Sequence, residues 1–192
     1  HQILERMNET INDDIKDLEE NIAVHKLAIS SCKWIRSSML TDVNLDSLSY
    51  HLSVSAFATV YVPNEEEYKT IISSGQIEVI KNSLLIKAIY DKYKQHSFLR
   101  TIEKSFFTFF GDVIQPYFNE IIDDVIVKSK DLPYSWAFLH YKLYQSPDRK
   151  KLRILIGQLE QMHESYIAVT KGVLKRTKLL NELLEKELLK KS

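Results

Sequence analysis

The first 62 residues contain neither glycine nor proline, and the whole chain of 192 holds only four of each. Glycine weakens a helix through backbone entropy, and proline does so by its missing N–H and a clash one turn back. Nothing therefore interrupts the backbone before Pro63. Within that stretch Ile11, Ile15, Leu18, Ile22, His25, Ile29 and Cys32 recur by steps of four and three. The spacing puts them on one face as a coiled-coil-like seam and predicts a helix from about Gln2 to about Leu40. At 1.5 Å per residue this is a rod of roughly 55 to 60 Å. Leu152, Leu155, Leu159, Met162, Tyr166, Val169 and Val173 repeat the device near the other end. Two terminal seams predict an all-α fold, an elongated antiparallel bundle of three long helices plus two or three short ones, in a single domain over 1–192. The first half of the opening helix is acidic and the last helix is basic towards its end, so antiparallel pairing brings opposite charges together. Exposed pairs of this kind contribute only about 0 to 1 kcal/mol each and select orientation more than they stabilise.

Between the terminal helices the punctuation is local. Leu45 to Ala58 reads as a short helix with Leu45, Leu48, Leu52 and Ala56 inward, and Thr59 to Val62 as briefly β-like. Asn64 and Glu67 form a capping-box-like pair opening the next helix, which Ser73-Ser74-Gly75 closes with a left-handed glycine. Ile77, Val79 and Ile80 link into Asn82 or Ser83 as cap of a third long helix, running to about Ser129. Gly111 and Pro116 fall inside it, so a kink is expected between Asp112 and Pro116. Asp131 and Pro133 open a short aromatic helix with Tyr134, Trp136, Phe138, Tyr141 and Tyr144, and Ser146-Pro147 supply the cap and first-turn proline of the last helix.

With 44% apolar and 27% charged residues the composition is that of a soluble globular protein, long enough to bury roughly 70% of its unfolded surface without disulfides. Formal net charge is zero, so no global field draws nucleic acid, and none is expected as a partner. The lone Cys32 lies in the first seam and reads as a small core residue rather than a nucleophile. No run of eighteen apolar residues is present to span a membrane. The chain opens at His1 rather than Met, from which either an upstream segment or a tag scar is expected.

Catalytic constellations are weighed against structural readings. Glu160 and His163 have the E-x-x-H spacing of di-iron bundles, but such sites need two copies and two further glutamates. His25 and Cys32 lie two turns apart and leave a metal shell incomplete. Phosphate loops, nucleophile elbows, paired cysteines and the Arg-to-His spacing of small helical nucleases are all missing from the sequence. No catalytic, metal or cofactor-binding residue is assigned, and the chain is read as a non-enzyme. The aromatic group of Phe106, Phe107, Phe109 and Phe110 with Tyr134, Trp136, Phe138 and Tyr141 reads as core. It also offers an alternative, a small-ligand pocket beside the kink. A third reading, a metal-dependent enzyme, would draw on Glu160, His163 and carboxylates such as Glu103 or Glu120.

The stretch from Tyr61 to Tyr93 resembles a family of uncharacterised, single-pass membrane-anchored helical proteins of Bacteroidetes-type bacteria. The matching positions are Tyr61, Pro63, Tyr68, Ser73, Ser74, Gly75, Ile77, Ile80, Asn82, Leu84, Leu85, Ile89 and Tyr93, and Met7-Asn8-Glu9 resembles a remnant of the junction that follows the family's anchor. The resemblance implies a missing N-terminal anchor in the inner membrane and a periplasmic location for this domain. It implies no activity. The expected function is a non-enzymatic extracytoplasmic domain that works through protein partners, self-association or sensing.

Overall fold

Heptad burial organises all three long helices of the computed structural model, which describes residues 2–39, 41–128 and 138–190. Along α1 (Gln2–Ser38) the buried seam runs Leu4, Met7, Ile11, Asp14, Leu18, Asn21, His25, Ala28, Cys32 and Ile35, with Ile3, Ile22 and Ser31 buried beside it. Along α4 (Ser83–Phe109) the seam runs Leu85, Ile89, Lys92, His96, Leu99, Glu103 and Phe106, with Ala88 and Tyr93 buried beside it. Along α6 (Arg149–Leu189) the seam runs Leu152, Ile156, Leu159, His163, Tyr166, Thr170, Val173, Thr177, Leu180, Leu184 and Glu187, with Glu160 and Ile167 buried beside it. Each series steps by three and four, the 3.5-residue repeat of a helix whose one stripe faces neighbours. The last seam includes Ile156, His163 and Thr170 where hydropathy alone selects Leu155, Met162 and Val169, which are only partly buried.

The remaining elements are α2 (Leu45–Ser55), α3 (Glu66–Ser73), a 3-10 turn (Gln76–Val79), a π turn (Phe110–Ile114), α5 (Gln115–Ile121) and the strands β1 (Ile122–Lys128) and β2 (Phe138–Leu143). Among the described residues the chain is all-α apart from this antiparallel two-stranded ribbon. The ribbon corrects two expectations: the third helix ends at Ile121 rather than near Ser129, and Phe138 to Leu143 is strand rather than aromatic helix. Ile122, Val125, Ile126 and Val127 are β-branched and favour extended backbone. Opposite them Tyr141 and Leu143 are buried and Lys142 exposed, a period of two. Tyr134 and Trp136 lie outside the described residues. At the expected kink the backbone takes the π turn, with Gln115 N–H donating to Phe110 C=O. Pro116 sits in the first turn of α5, where its missing donor is not needed.

Caps follow local chemistry. Asn44 Oδ1 accepts from the amides of Asp46 and Ser47 at the start of α2, and Asn82 Oδ1 accepts from Leu84 and Leu85 at the start of α4. Gly75 has φ of 69° and terminates α3 as expected. Two details differ. The amide of Glu66 binds Asn64 Oδ1 without a reciprocal Glu67 contact among the bonds described, and α3 begins one residue later. Asp148, not Ser146, caps α6 through Lys151 N–H at 2.9 Å, because its carboxylate reaches the third helical amide. Thr59 to Val62 is irregular rather than β-like.

The chain divides into two compact units. Unit 1 comprises His1–Ile22, Val60–Ile102 and Ala168–Ser192, and unit 2 comprises Ala23–Thr59 and Glu103–Ile167. The core of unit 1 joins Met7 and Ile11 of α1, Ile71 of α3, Leu85 and Ile89 of α4, and Leu180 and Leu184 of α6. That of unit 2 joins Cys32 and Ile35 of α1, Leu48 and Leu52 of α2, Phe106, Phe118, Tyr141, and Ile156 and Leu159 of α6. Each fully buried side chain of this size contributes about 1.5 to 3 kcal/mol relative to exposure. Acid from the first helix meets base from the last in unit 1 at Glu19 and Lys178, 2.6 Å apart. No described helix is long and apolar enough to cross a membrane.

Candidate functional site

Polar residues at seam positions make the chemically distinctive places in each unit. In unit 2, His25 of α1 and His163 of α6 are buried, and their Nδ1 atoms lie 2.8 Å apart. His163 Nε2 lies 3.0 Å from Ser55 C=O. His25 Nε2 lies 3.2 Å from Thr59 C=O and accepts Thr59 N–H at 3.4 Å. Tyr166 stacks on His25 with ring centroids 3.9 Å apart, and Phe106 covers both imidazoles. Burial in this apolar setting disfavours the imidazolium form and lowers the His25 pKa to about 4. For His163, burial and then the neighbouring His25 lower it to about 3.

Unit 1 places an ion pair where unit 2 has imidazoles. Lys92 of α4 is fully buried, with its Nζ 2.5 Å from Asp14 Oδ2 and 4.0 Å from the centre of the Tyr93 ring. Burial lowers the Lys92 pKa, opposed by Asp14. Asp14 Oδ1 also accepts Asn64 N–H at 3.1 Å, and Tyr93 Oη donates to Asn64 C=O at 3.1 Å. Asp17 accepts Val62 N–H at 3.4 Å, and burial raises its pKa. His96 faces Glu65 at 3.3 Å and is edge-on to Tyr61. Burial, ahead of the neighbouring Arg100, lowers the His96 pKa.

Beside this network lies a groove of about 760 Å³ lined by Asp13, Asp14, Asp17, Glu65, Glu66 and Arg100 among others. Through Glu65 and Lys69 it shares its wall with a second groove of about 360 Å³ lined by Tyr68, Tyr90, Tyr93 and Lys94. Tyr68 stacks on Tyr93 at 3.9 Å and meets Tyr90 edge-on.

The residues singled out in sequence are dispersed among separate partners. Glu160 binds Arg36 Nη1 at 2.6 Å and faces Lys33 at 3.9 Å, while His163, three residues on, turns to His25 and Ser55. Glu103 accepts from Tyr166 Oη at 3.4 Å, and Glu120 binds Lys151 in solvent. Cys32 is buried, and desolvation pushes its thiol up to about 12, which suits a core residue and not a nucleophile. Phe106 and Phe118 pack in the core, with Phe118 edge-on to Tyr141, whereas Phe107 is exposed. Among the described residues no three His, Cys, Asp or Glu side chains gather as metal ligands. Sequence reading missed Asp14 and Lys92, although each occupies a heptad position flanked by apolar ones. A charge in that place is the signal that finds them. In comparisons with protein-family models, characterised proteins and solved structures, nothing matches this chain.

Proposed function

We propose that this chain is a non-enzymatic helical domain that acts through contacts with other proteins. In line with the resemblance of its Tyr61 to Tyr93 segment, we also propose that it is the periplasmic part of a membrane-anchored protein. The observation that carries the contact reading is the tyrosine-lined groove of unit 1, where Tyr90 is 44% exposed beside the stacked Tyr68 and Tyr93. Tyrosine gives large, rigid contact area with a polar tip, and it is enriched at protein interfaces. The most distinctive buried polar groups support the non-enzymatic part. His25, His163, Asp14 and Lys92 direct their polar atoms at one another and at backbone groups, as residues that fix helix pairing do.

Of the aromatics on which the alternative small-ligand reading rests, Phe106 and Tyr141 are buried in the unit 2 core with Phe109 and Phe110 packed against it, whereas Phe107 is exposed and Tyr134 and Trp136 lie outside the described residues. The metal-enzyme reading requires Glu160 and His163 to share a centre, and they have separate partners. In-cell photo-crosslinking of the full-length protein from position 90 tests the proposal. The expected result is a discrete adduct that disappears in Tyr68→Ala and is not formed from Arg153, an exposed position of unit 2. Equal adducts from both positions, or none, would overturn it.

A further inference from the structure

The hydrogen-bond pattern around His25 and His163 assigns the ring protons. Ser55 C=O can only accept, so His163 Nε2 carries a proton. With both rings neutral, His163 Nδ1 is then an acceptor, and His25 Nδ1–H donates across the 2.8 Å gap. This leaves His25 Nε2 with a lone pair, which accepts Thr59 N–H at 3.4 Å. Two ring protons thus satisfy every ring nitrogen. The opposite tautomer would aim a lone pair of His163 at the Ser55 oxygen.

The same geometry defines what acid does. A third proton has one place to go, His25 Nε2, where it finds Thr59 C=O at 3.2 Å and displaces the Thr59 amide. A fourth has no acceptor, because it sets N–H against N–H between the two Nδ1 atoms. Both rings hold the same piece of backbone, the end of α2 and the residues after it, through Ser55 and Thr59. We propose that the His25–His163 pair is an acid-operated clasp on residues 55–59. It exchanges its Thr59 contact with the first added proton and lets go with the second.

The surroundings are those of a proton-sensitive element. From α6, Tyr166 stacks on His25. From α4, Phe106 meets both rings and Glu103 faces the Tyr166 hydroxyl. At the end of α2 the Ser55 C=O faces the pair, and after it the Thr59 N–H and C=O do. One helical turn away on α6, Glu160 is engaged by Arg36.

Amide hydrogen exchange of the full chain between pH 7 and pH 4.5, corrected for intrinsic rates, tests this. Opening of residues 56–59 should rise by up to about tenfold per pH unit for each proton taken up, while α1 and α6 amides away from the pair keep their protection. The rise should vanish in His25→Gln and in His163→Asn, which cannot titrate. A pH-independent opening constant, an undiminished rise in folded variants, or simultaneous loss of protection in every helix would overturn the proposal. Should neither variant fold, the imidazole nitrogen spectrum of the unaltered protein decides. Coupled titration below pH 5, with His25 Nε2 protonated first, supports the clasp, and independent titration near 6.5 refutes it.

Discussion

The two units fill buried seam positions with different chemistry. Unit 1 joins α1 to α4 with a charged pair, Asp14 and Lys92, and unit 2 joins α1 to α6 with two imidazoles whose neutral forms burial favours. Each pair also grips irregular backbone, Asn64 in the first case and Ser55 with Thr59 in the second. Buried ions need each other, because a lone one keeps the desolvation cost without the attraction. Imidazoles need only an unprotonated ring. The ion pair is therefore sensitive to side-chain deletion, and the histidine pair is sensitive to acid.

The largest effect should come from breaking the ion pair on one side. Lys92→Met leaves the Asp14 carboxylate buried and unmatched, and should cost about 3 to 5 kcal/mol in urea unfolding. Adding Asp14→Leu should recover most of that loss, although the Asn64 amide then lacks its acceptor. If the double variant is no better than the single one, the pair's charges are not what holds unit 1.

Acid should separate the two units next. The unfolded imidazoles take up protons near pH 6.5, whereas folded His25 and His163 resist until about 4 and about 3. Between those limits the unfolded state binds more protons, so stability is complete above about pH 7 and falls as pH drops through 6.5 towards 4. At pH 5 the loss is about 2 kcal/mol per imidazole. Urea midpoints at pH 7 and pH 5 measure it, and His163→Asn should flatten the dependence. Asp17, with its raised pKa, works in the opposite sense over the carboxylate range. An undiminished slope in the variant would place the acid sensitivity elsewhere, with His96 as the next group to substitute.

A cap offers a smaller, charge-free reference. Asn82→Ala removes the acceptor for the Leu84 and Leu85 amides and should cost about 1 kcal/mol, equally at pH 7 and pH 5. A pH-dependent loss there would show that the comparison between the units is confounded by general acid effects.

Helix content, the turn at Gly75 and the cap at Asn82 were legible because each depends on residues within one turn. The acid-to-base match of Glu19 with Lys178 followed from charge order along the two terminal helices. The ribbon was missed because Ile122 to Val127 continues an apolar run from a helix, and periodicity alone does not separate a short strand from a helical end. Its pairing with Phe138 to Leu143 is a tertiary fact. Asp14 and Lys92 were missed for a different reason. A search for apolar repeats discards charged residues before their position is considered, yet these two sit in step with Ile11 and Ile89. His25 was placed in its seam, but its partner 138 residues away was not. Polar seam residues restrict which helix faces can meet, because a shifted register would bury each one unpaired.

Lys178 and Lys92 separate the effect of burial from the effect of charge. Both are lysines paired with an acid of α1, at 2.6 Å and 2.5 Å, but the side chains of Lys178 and Glu19 are 49% and 51% exposed while Lys92 is at 0%. Water already solvates both partners of the outer pair, so removing one strands nothing. Lys178→Met should cost about 0 to 1 kcal/mol, and that small loss should fade as salt is raised towards 1 M. The Lys92→Met loss should persist, because ions do not reach a buried partner. Urea unfolding at low and high salt compares the two directly. Equal losses, or equal salt sensitivity, would mean that water reaches the Asp14 pocket and that unit 1 is held by its apolar contacts, with the buried ion pair contributing little.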